Sequence, residues 1–212
     1  MNDFLEERKY MVERQLRARG INDRRVLDAF EAVPRHLFVL EEARPWAYED
    51  SPHRIGFEQT ISQPFIVAYM TQMLDLTATE RALEVGTGSG YQAAILSKLA
   101  AEAHTVELIE PLAERAAQTL ASLGITNVFI HVGDGSLGWI ESAPYDAIIV
   151  TAAAPRAPKS LLDQLADRGR MILPVGAGKH QNLELWTREG DSFSCESSLP
   201  VAFVPLKGKE GV

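Results

Sequence analysis

Apolar and polar positions change their rhythm near residue 81. Before that point, FLEERKYMVERQLRARG (4–20) has helical texture and Gly20 stands where that helix should stop. Asn22 or Asp23 is placed to cap a second helix through RRVLDAFEAV (24–33), which Pro34 interrupts. PRHLFVLEEARPWAYEDSPHRIGFEQTIS (34–62) is dense in Pro, Gly and charge and reads as loop with short turns. From Pro64 the run FIVAYMTQMLDL (65–76) is again helical.

After Arg81, short apolar runs alternate with amphipathic ones. Strands are expected at ALEV (82–85), HTVELI (104–109), NVFIHV (127–132), DAIIVT (146–151) and RMILPV (170–175). Helices are expected at YQAAILSKLAAE (91–102), PLAERAAQTLASLG (111–124) and LLDQLADRG (161–169). Nearly continuous apolar strands separated by helices predict a parallel sheet covered on both faces. NLELWTREG (182–190) and FSCESSLPVAFVPL (193–206) flank a turn at Glu189-Gly190-Asp191 and predict an antiparallel hairpin on one sheet edge. The expected class is α/β, a doubly wound Rossmann-like sheet with a helical N-terminal extension.

Composition narrows the functional classes. The chain of 212 residues is 46% apolar and 24% charged, ordinary for a globular protein. A net charge of -8 argues against a broad nucleic-acid footprint. No apolar run approaches a membrane span, and MNDFLEERKY has no apolar core of a signal peptide, so no membrane partner is expected. The single cysteine, Cys195, fits a reducing cytoplasm and reads as an ordinary strand residue. His36, His53, His104, His131 and His180 are scattered, so no metal site is expected. The Trp residues at 46, 139 and 186 read as packing, and the N-terminal arginines as a solvated helical face.

The chemistry concentrates in LEVGTGSGY (83–91), where a buried strand runs into Gly86, Thr87, Gly88, Ser89 and Gly90 and a helix follows at once. Such glycines allow positive φ and close backbone approach to a ligand. Glu107 ends the next strand and can accept from both hydroxyls of a ribose. Asp134, beside Gly135, follows the third strand and can accept from an adenine amino group. The spacing Gly86-x-Gly88-x-Gly90 departs from the dinucleotide fingerprint, and Glu84 would be unfavourable beside a pyrophosphate. It suits the ammonium of a methionine moiety, which favours S-adenosylmethionine over NAD. This turn resembles that of the class I methyltransferases over residues 81–175.

The residues leave the methyl acceptor open. DAIIVTAAAP (146–155) has Ala152, Ala153 and Ala154 where base-amine methyltransferases carry a [DN]PP[YF] motif. A carboxylate acceptor, ionised near pKa ~4, would need no general base.

VPRHLFV (33–39), IGFEQTISQPFIVAYM (55–70), GDGSLGW (133–139), LLDQLADRGRMILPVG (161–176) and the terminal FVPL (203–206), with the Gly-rich turn, together resemble the protein-L-isoaspartate O-methyltransferase family over nearly the whole chain. The resemblance implies methyl transfer from S-adenosylmethionine to the free α-carboxylate of isoaspartyl residues in damaged proteins and peptides. It also implies repair through collapse of the ester to a succinimide. It implies that Ser62 is the active-site residue, with Thr60 and Ile61 lining the substrate pocket. Gly86, Thr87, Gly88, Glu107, Asp134 and Gly135 are implied to hold the cofactor. One domain over 1–212 is expected, with 1–76 as extension and substrate side and 77–212 as cofactor core, in a monomer. The chain departs from the family pattern at Ala202, where Arg is frequent, and at His53-Arg54, where Leu-Pro is frequent. Locally, Ser62 also fits a helix cap next to Pro64.

Overall fold

The structure, a computed structural model, describes residues 4–178 and 180–212. Helix α1 (Leu5–Tyr10) continues as a π-helical turn, Met11–Leu16, and a 3-10 turn, Arg17–Arg19. Gly20, at φ 96°, ends it in the left-handed conformation that glycine adopts without Cβ cost. Asp23 caps α2 (Arg24–Ala32), its carboxylate accepting from the Arg25 amide at 2.8 Å. Two 3-10 turns follow, at Arg35–Leu37 and Glu41–Trp46, as the loop reading expects.

The next segment carries a feature that sequence reading missed. His53–Gly56 (β1) and Gln59–Ile61 (β2) form an antiparallel hairpin. Phe57 and Glu58 turn it at φ 52° and 60°. Tight hairpin turns with two positive φ values are usually announced by Asn-Gly or Asp-Gly, and neither is present here. Helix α3 (Pro64–Met73) then begins at its proline, which suits a first helical turn.

The remaining strands are β3 (Arg81–Val85), β4 (Glu102–Glu107), β5 (Val128–Val132), β6 (Tyr145–Val150), β7 (Leu165–Ala177), β8 (His180–Glu189) and β9 (Ser192–Val201). They form a seven-stranded sheet in the order β5-β4-β3-β6-β7-β8-β9. The pairs from β5 to β7 are parallel, and β7-β8 and β8-β9 are antiparallel, as expected. Between them lie α4 (Tyr91–Leu96), α5 (Glu110–Ser122) and α6 (Lys159–Asp163).

Alternation along the central strands explains the double cover. Ala82, Ala147, Ile149 and Ile172 join the cluster that includes α2, α3 and α4. Leu83, Val85, Ile148, Val150, Met171 and Leu173 point the other way, onto Leu161, Tyr145 and Leu206. Period-2 alternation with both faces apolar is what a sheet buried on two sides requires. Each fully buried aliphatic side chain contributes about 1.5–3 kcal/mol.

Two expected helices are shorter than their apolar runs. Helix α4 stops at Leu96 because the Asn127 side chain donates to the carbonyls of Ser97, Ala100 and Ala101, 3.0–3.4 Å away, and turns the chain into β4. Helix α6 stops at Asp163 because Gln164 is held by Leu137, Trp139 and Tyr145. No helix among the described residues is long and apolar enough to cross a membrane.

Candidate active site

Strand order reverses at β3, whose neighbours are β4 and β6, and ligands of doubly wound sheets bind outside the carboxyl ends at such a point. The Gly-rich turn leaves β3 here. Gly86 takes φ 94°, and a Cβ on it would lie 2.5 Å from the Thr151 hydroxyl, so no larger residue fits without displacing that side chain. The Thr151 hydroxyl accordingly donates to the main chain, with the Val85 and Gly86 carbonyls at 3.0 and 2.8 Å. Gly88, also at positive φ, donates to Glu107 at 2.8 Å.

Glu107 ends β4 with both oxygens ordered by main chain, Oε2 by Gly88 and Oε1 by Ile109 at 2.9 Å. Each carboxylate oxygen has a second lone pair to offer, so the group is orientated and still able to accept from a diol. Gly135 lies across the same cavity, packed so closely on Val85 that a Cβ would approach Val85 Cγ1 to 2.7 Å. Asp134 is placed differently. It caps the 3-10 turn Gly135–Leu137 and accepts from Ser136 and from the Lys209 amide at 2.8 Å, which fastens the C-terminal segment beside the cavity. Gly135 lines the cavity and Asp134 is not part of its lining.

Glu84 is the most perturbed acid of the site. It is 1% exposed, and one oxygen accepts from Thr105 at 2.7 Å. Register places Thr105 directly opposite on β4, and Thr87 closes the chain by donating to Thr105 at 2.7 Å. The other oxygen, Oε1, has no hydrogen-bond partner among the described residues. Burial, reinforced by the charge of Glu107 and opposed by the Thr105 hydrogen bond, pushes the carboxyl up to about 8. A buried acceptor with an unused lone pair, on a residue lining a cavity, fits a cationic donor such as the ammonium of an amino acid moiety. Ser89 lines that cavity too, and its hydroxyl accepts weakly from the Tyr91 amide at 3.4 Å.

The hairpin that sequence reading missed brings Thr60, Ile61 and Ser62 to this cleft. Ile55 packs over Gly88, and its carbonyl is held by the Arg115 guanidinium. Ile61 is buried beneath the strand pair, and Thr60 faces outward along the cleft. Three adjoining cavities result, one beside Glu107, one beside Glu84 and one bounded by Ser62, Gln63, Ile66 and Ala202. Thr60 and Thr151 line all three, so the three cavities share walls. Thr151 was not singled out in the sequence, although a polar residue ending an apolar strand was the available signal.

Ser62 lines both the Glu84 cavity and the cavity bounded by Gln63, Ile66 and Ala202. It does not cap α3: the cap position is Gln63, with no side-chain hydrogen bond of its own to the helix. The free Phe65 amide is met by Asp50 at 3.1 Å, from a loop distant in sequence. Asp50 also fixes Gln63 at 2.8 Å and pairs with Arg19. The Ser62 hydroxyl therefore has no hydrogen-bonding duty among the described residues, and its side chain is half-buried at the cavity wall.

The FVPL segment closes the other side. Gln181 brackets Phe203 with one hydrogen bond in each direction, 2.7 and 3.1 Å. Ala153 accepts from Leu206 and donates to Val204, both at 2.8 Å, which straps the segment along the end of β6.

The model of the protein-L-isoaspartate(D-aspartate) O-methyltransferase family matches residues 6–211. A protein-L-isoaspartate O-methyltransferase of Desulfotalea psychrophila is 52% identical over 211 residues, covering 100% of this chain and 99% of its own. Another, from Nitrosococcus oceani, is 54% identical over 191 residues, 90% of this chain and 87% of its own. Among solved structures, a protein-L-isoaspartate O-methyltransferase superposes with a TM-score of 0.87 at 29% identity, over 96% of this chain and 67% of that one. A Plasmodium falciparum protein described as the same kind of enzyme, in complex with S-adenosyl-L-homocysteine, gives 0.82 at 26% identity, over 94% and 98%. With its sheet order, its glycine turn beneath a buried acid and these similarities, the chain belongs to the protein-L-isoaspartate(D-aspartate) O-methyltransferase family.

Proposed function

We infer that this protein transfers a methyl group from S-adenosylmethionine to the free α-carboxylate of L-isoaspartyl residues in damaged proteins and peptides. The observation that carries this reading is that the Glu84 cavity and the Gln63 cavity adjoin, sharing Thr60, Ser62, Thr151 and Phe203 as walls. S-adenosylmethionine supplies an electrophilic methyl group on a sulfonium. Glu84, with its unpaired oxygen, is proposed to hold the ammonium, Glu107 the ribose, and Gly86, Thr87, Gly88, Ser89 and Gly135 the surrounding wall. Asp134 is proposed to act at the adenine end by fixing the turn and C-terminal segment that bound it.

On the acceptor side, the polar lining is Thr60, Ser62, Gln63 and Thr151, and none of these is a base at neutral pH. A carboxylate is already ionised there and needs no proton removed. Ser62 is proposed to donate a hydrogen bond to the acceptor or its adjoining peptide, and Thr60 and Ile61 to shape the pocket. The work left to the protein is alignment and exclusion of water, for which proximity can supply roughly 7–11 kcal/mol. We propose one catalytic unit in which residues 1–76 furnish the Thr60, Ser62, Gln63 and Ile66 wall of the acceptor side, and residues 77–212 the donor side together with the facing wall at Thr151 and Ala202. A cytoplasmic monomer acting on peptide segments, without nucleic acid or membrane, is the form we propose; the negative net charge and the unpaired Cys195 support it.

The test is incubation with methyl-labelled S-adenosylmethionine and matched peptides containing isoaspartate or aspartate. Label should enter the isoaspartyl peptide and be released by mild alkali, as a methyl ester is. Equal labelling of both peptides, or an alkali-stable product, would refute the reading.

A further inference from the structure

Arg35 is fully buried, lines none of the three cavities, and reaches the site through the Ser62 main chain. Its Nε donates to the Ala47 carbonyl and its Nη2 to the Ser62 carbonyl, each at 2.8 Å. The guanidinium carbon lies 4.9 Å from the centre of the Tyr91 ring, and Tyr91 lines the Glu84 cavity. Nη1 has no hydrogen-bond partner among the described residues. Arg35 forms no ion pair among those residues either, and Asp50, which attracts it from further away, is engaged by Arg19, Gln63 and the Phe65 amide.

A buried cation without an ion pair is costly, and a purely structural anchor for two carbonyls would be served by neutral donors. The acceptor cavity is lined by uncharged side chains. Its expected ligand is an anion. We propose that Arg35 is a positioning residue for the acceptor: it fixes the Ser62 main chain and supplies the positive charge that selects an ionised carboxylate over a neutral group. The proposal rests on the carboxyl-methylation reading, and it explains how a cavity without a charged wall favours a charged substrate. Protonated at neutral pH despite burial, the guanidinium keeps this charge throughout the working range.

The test compares binding of two peptides in the presence of S-adenosylhomocysteine. One carries the isoaspartyl carboxylate and the other replaces it by a carboxamide. The wild type should prefer the carboxylate by tenfold or more, and Arg35→Gln should reduce that preference below threefold. Affinity for S-adenosylhomocysteine should stay within twofold, which separates positioning from general loss of structure. Arg35→Lys keeps the charge but cannot bridge both carbonyls, so it should retain a preference above threefold while kcat falls about tenfold.

A folded Arg35→Gln that keeps the tenfold preference overturns the proposal, as does equal loss of both peptides and S-adenosylhomocysteine. Should Arg35→Gln fail to melt cooperatively, Arg35→Lys decides: lost preference in that variant overturns the proposal. A wild type that methylates isoaspartyl peptide yet binds both analogues equally defeats the role of Arg35 alone. A wild type that methylates no isoaspartyl peptide defeats the functional reading beneath it.

Discussion

Replacing Glu84 by glutamine removes one negative charge from the buried end of β3 and leaves the shape of the side chain intact. In the ligand-free protein Glu84 holds its proton up to about pH 8. At pH 7 the group is therefore mostly neutral, and ionising it costs about 1 kcal/mol. An ammonium about 4 Å away would return about 4 kcal/mol at an effective dielectric constant near 20. The difference, about 3 kcal/mol, predicts a loss of roughly a hundredfold in affinity for S-adenosylhomocysteine in Glu84→Gln.

The same arithmetic predicts close to one proton released on binding to the wild type, and affinity rising roughly tenfold from pH 6 to pH 7. Calorimetric titration at pH 7 in phosphate and in Tris reads the released proton from the difference in apparent enthalpy. Without ligand the sign reverses for stability. The folded carboxyl titrates above its unfolded value, so the folded state holds an extra proton between the ordinary carboxyl range and about pH 8. The Glu84 contribution is present below that window and is lost as pH rises through it; Glu84→Gln should flatten this slope. Affinity within threefold of wild type for Glu84→Gln, or a wild-type affinity independent of pH, would refute the assignment of Glu84 to the ammonium.

Ser62→Ala should melt within about 0.5 kcal/mol of the wild type, because its hydroxyl caps nothing, while kcat falls at least tenfold at unchanged S-adenosylhomocysteine affinity. A stability loss near 1 kcal/mol with full activity would restore the cap reading. Asp50→Ala removes the actual cap of α3 and the clamp on Gln63, and should lower stability by about 1–2 kcal/mol, read as a melting temperature lower by roughly 3–6 °C. Gly86→Ala forces a Cβ against the Thr151 hydroxyl at a positive φ and should weaken S-adenosylhomocysteine binding more than tenfold by calorimetry. The paired Gly86→Ala, Thr151→Ala variant should recover part of that loss, and no recovery would place the cost in the backbone angle alone.

Most of residues 81–212 was legible because its signals are local, although residues 165–169, expected as helix, begin β7. The alternation of Ala82, Leu83 and Val85, or of Ala147 to Val150, needs no partner to be read, since a strand buried on both faces must be apolar on both. Glycines at 86, 88 and 90 likewise announce a turn by the conformations they permit. Hence the sheet, the antiparallel hairpin of β8 and β9, the turn and the two acids were readable from composition and order.

The rest depended on partners far along the chain. Helix α4 ends where Asn127 collects its last carbonyls, and β1 and β2 pair around a turn with no customary turn residue. Ser62 shows the limit most clearly, because a serine one residue from Pro64 satisfies the local rule for a cap. Only the folded chain brings Asp50 to the Phe65 amide, which leaves that hydroxyl free, and only it sets Arg35 behind the Ser62 carbonyl. Glu84 carried its charge in the sequence, but its proton affinity came from burial between β3, β4 and the helices above them. Propensity and periodicity act over a few residues, whereas hydrogen-bond satisfaction and desolvation are settled by whatever the fold places nearby.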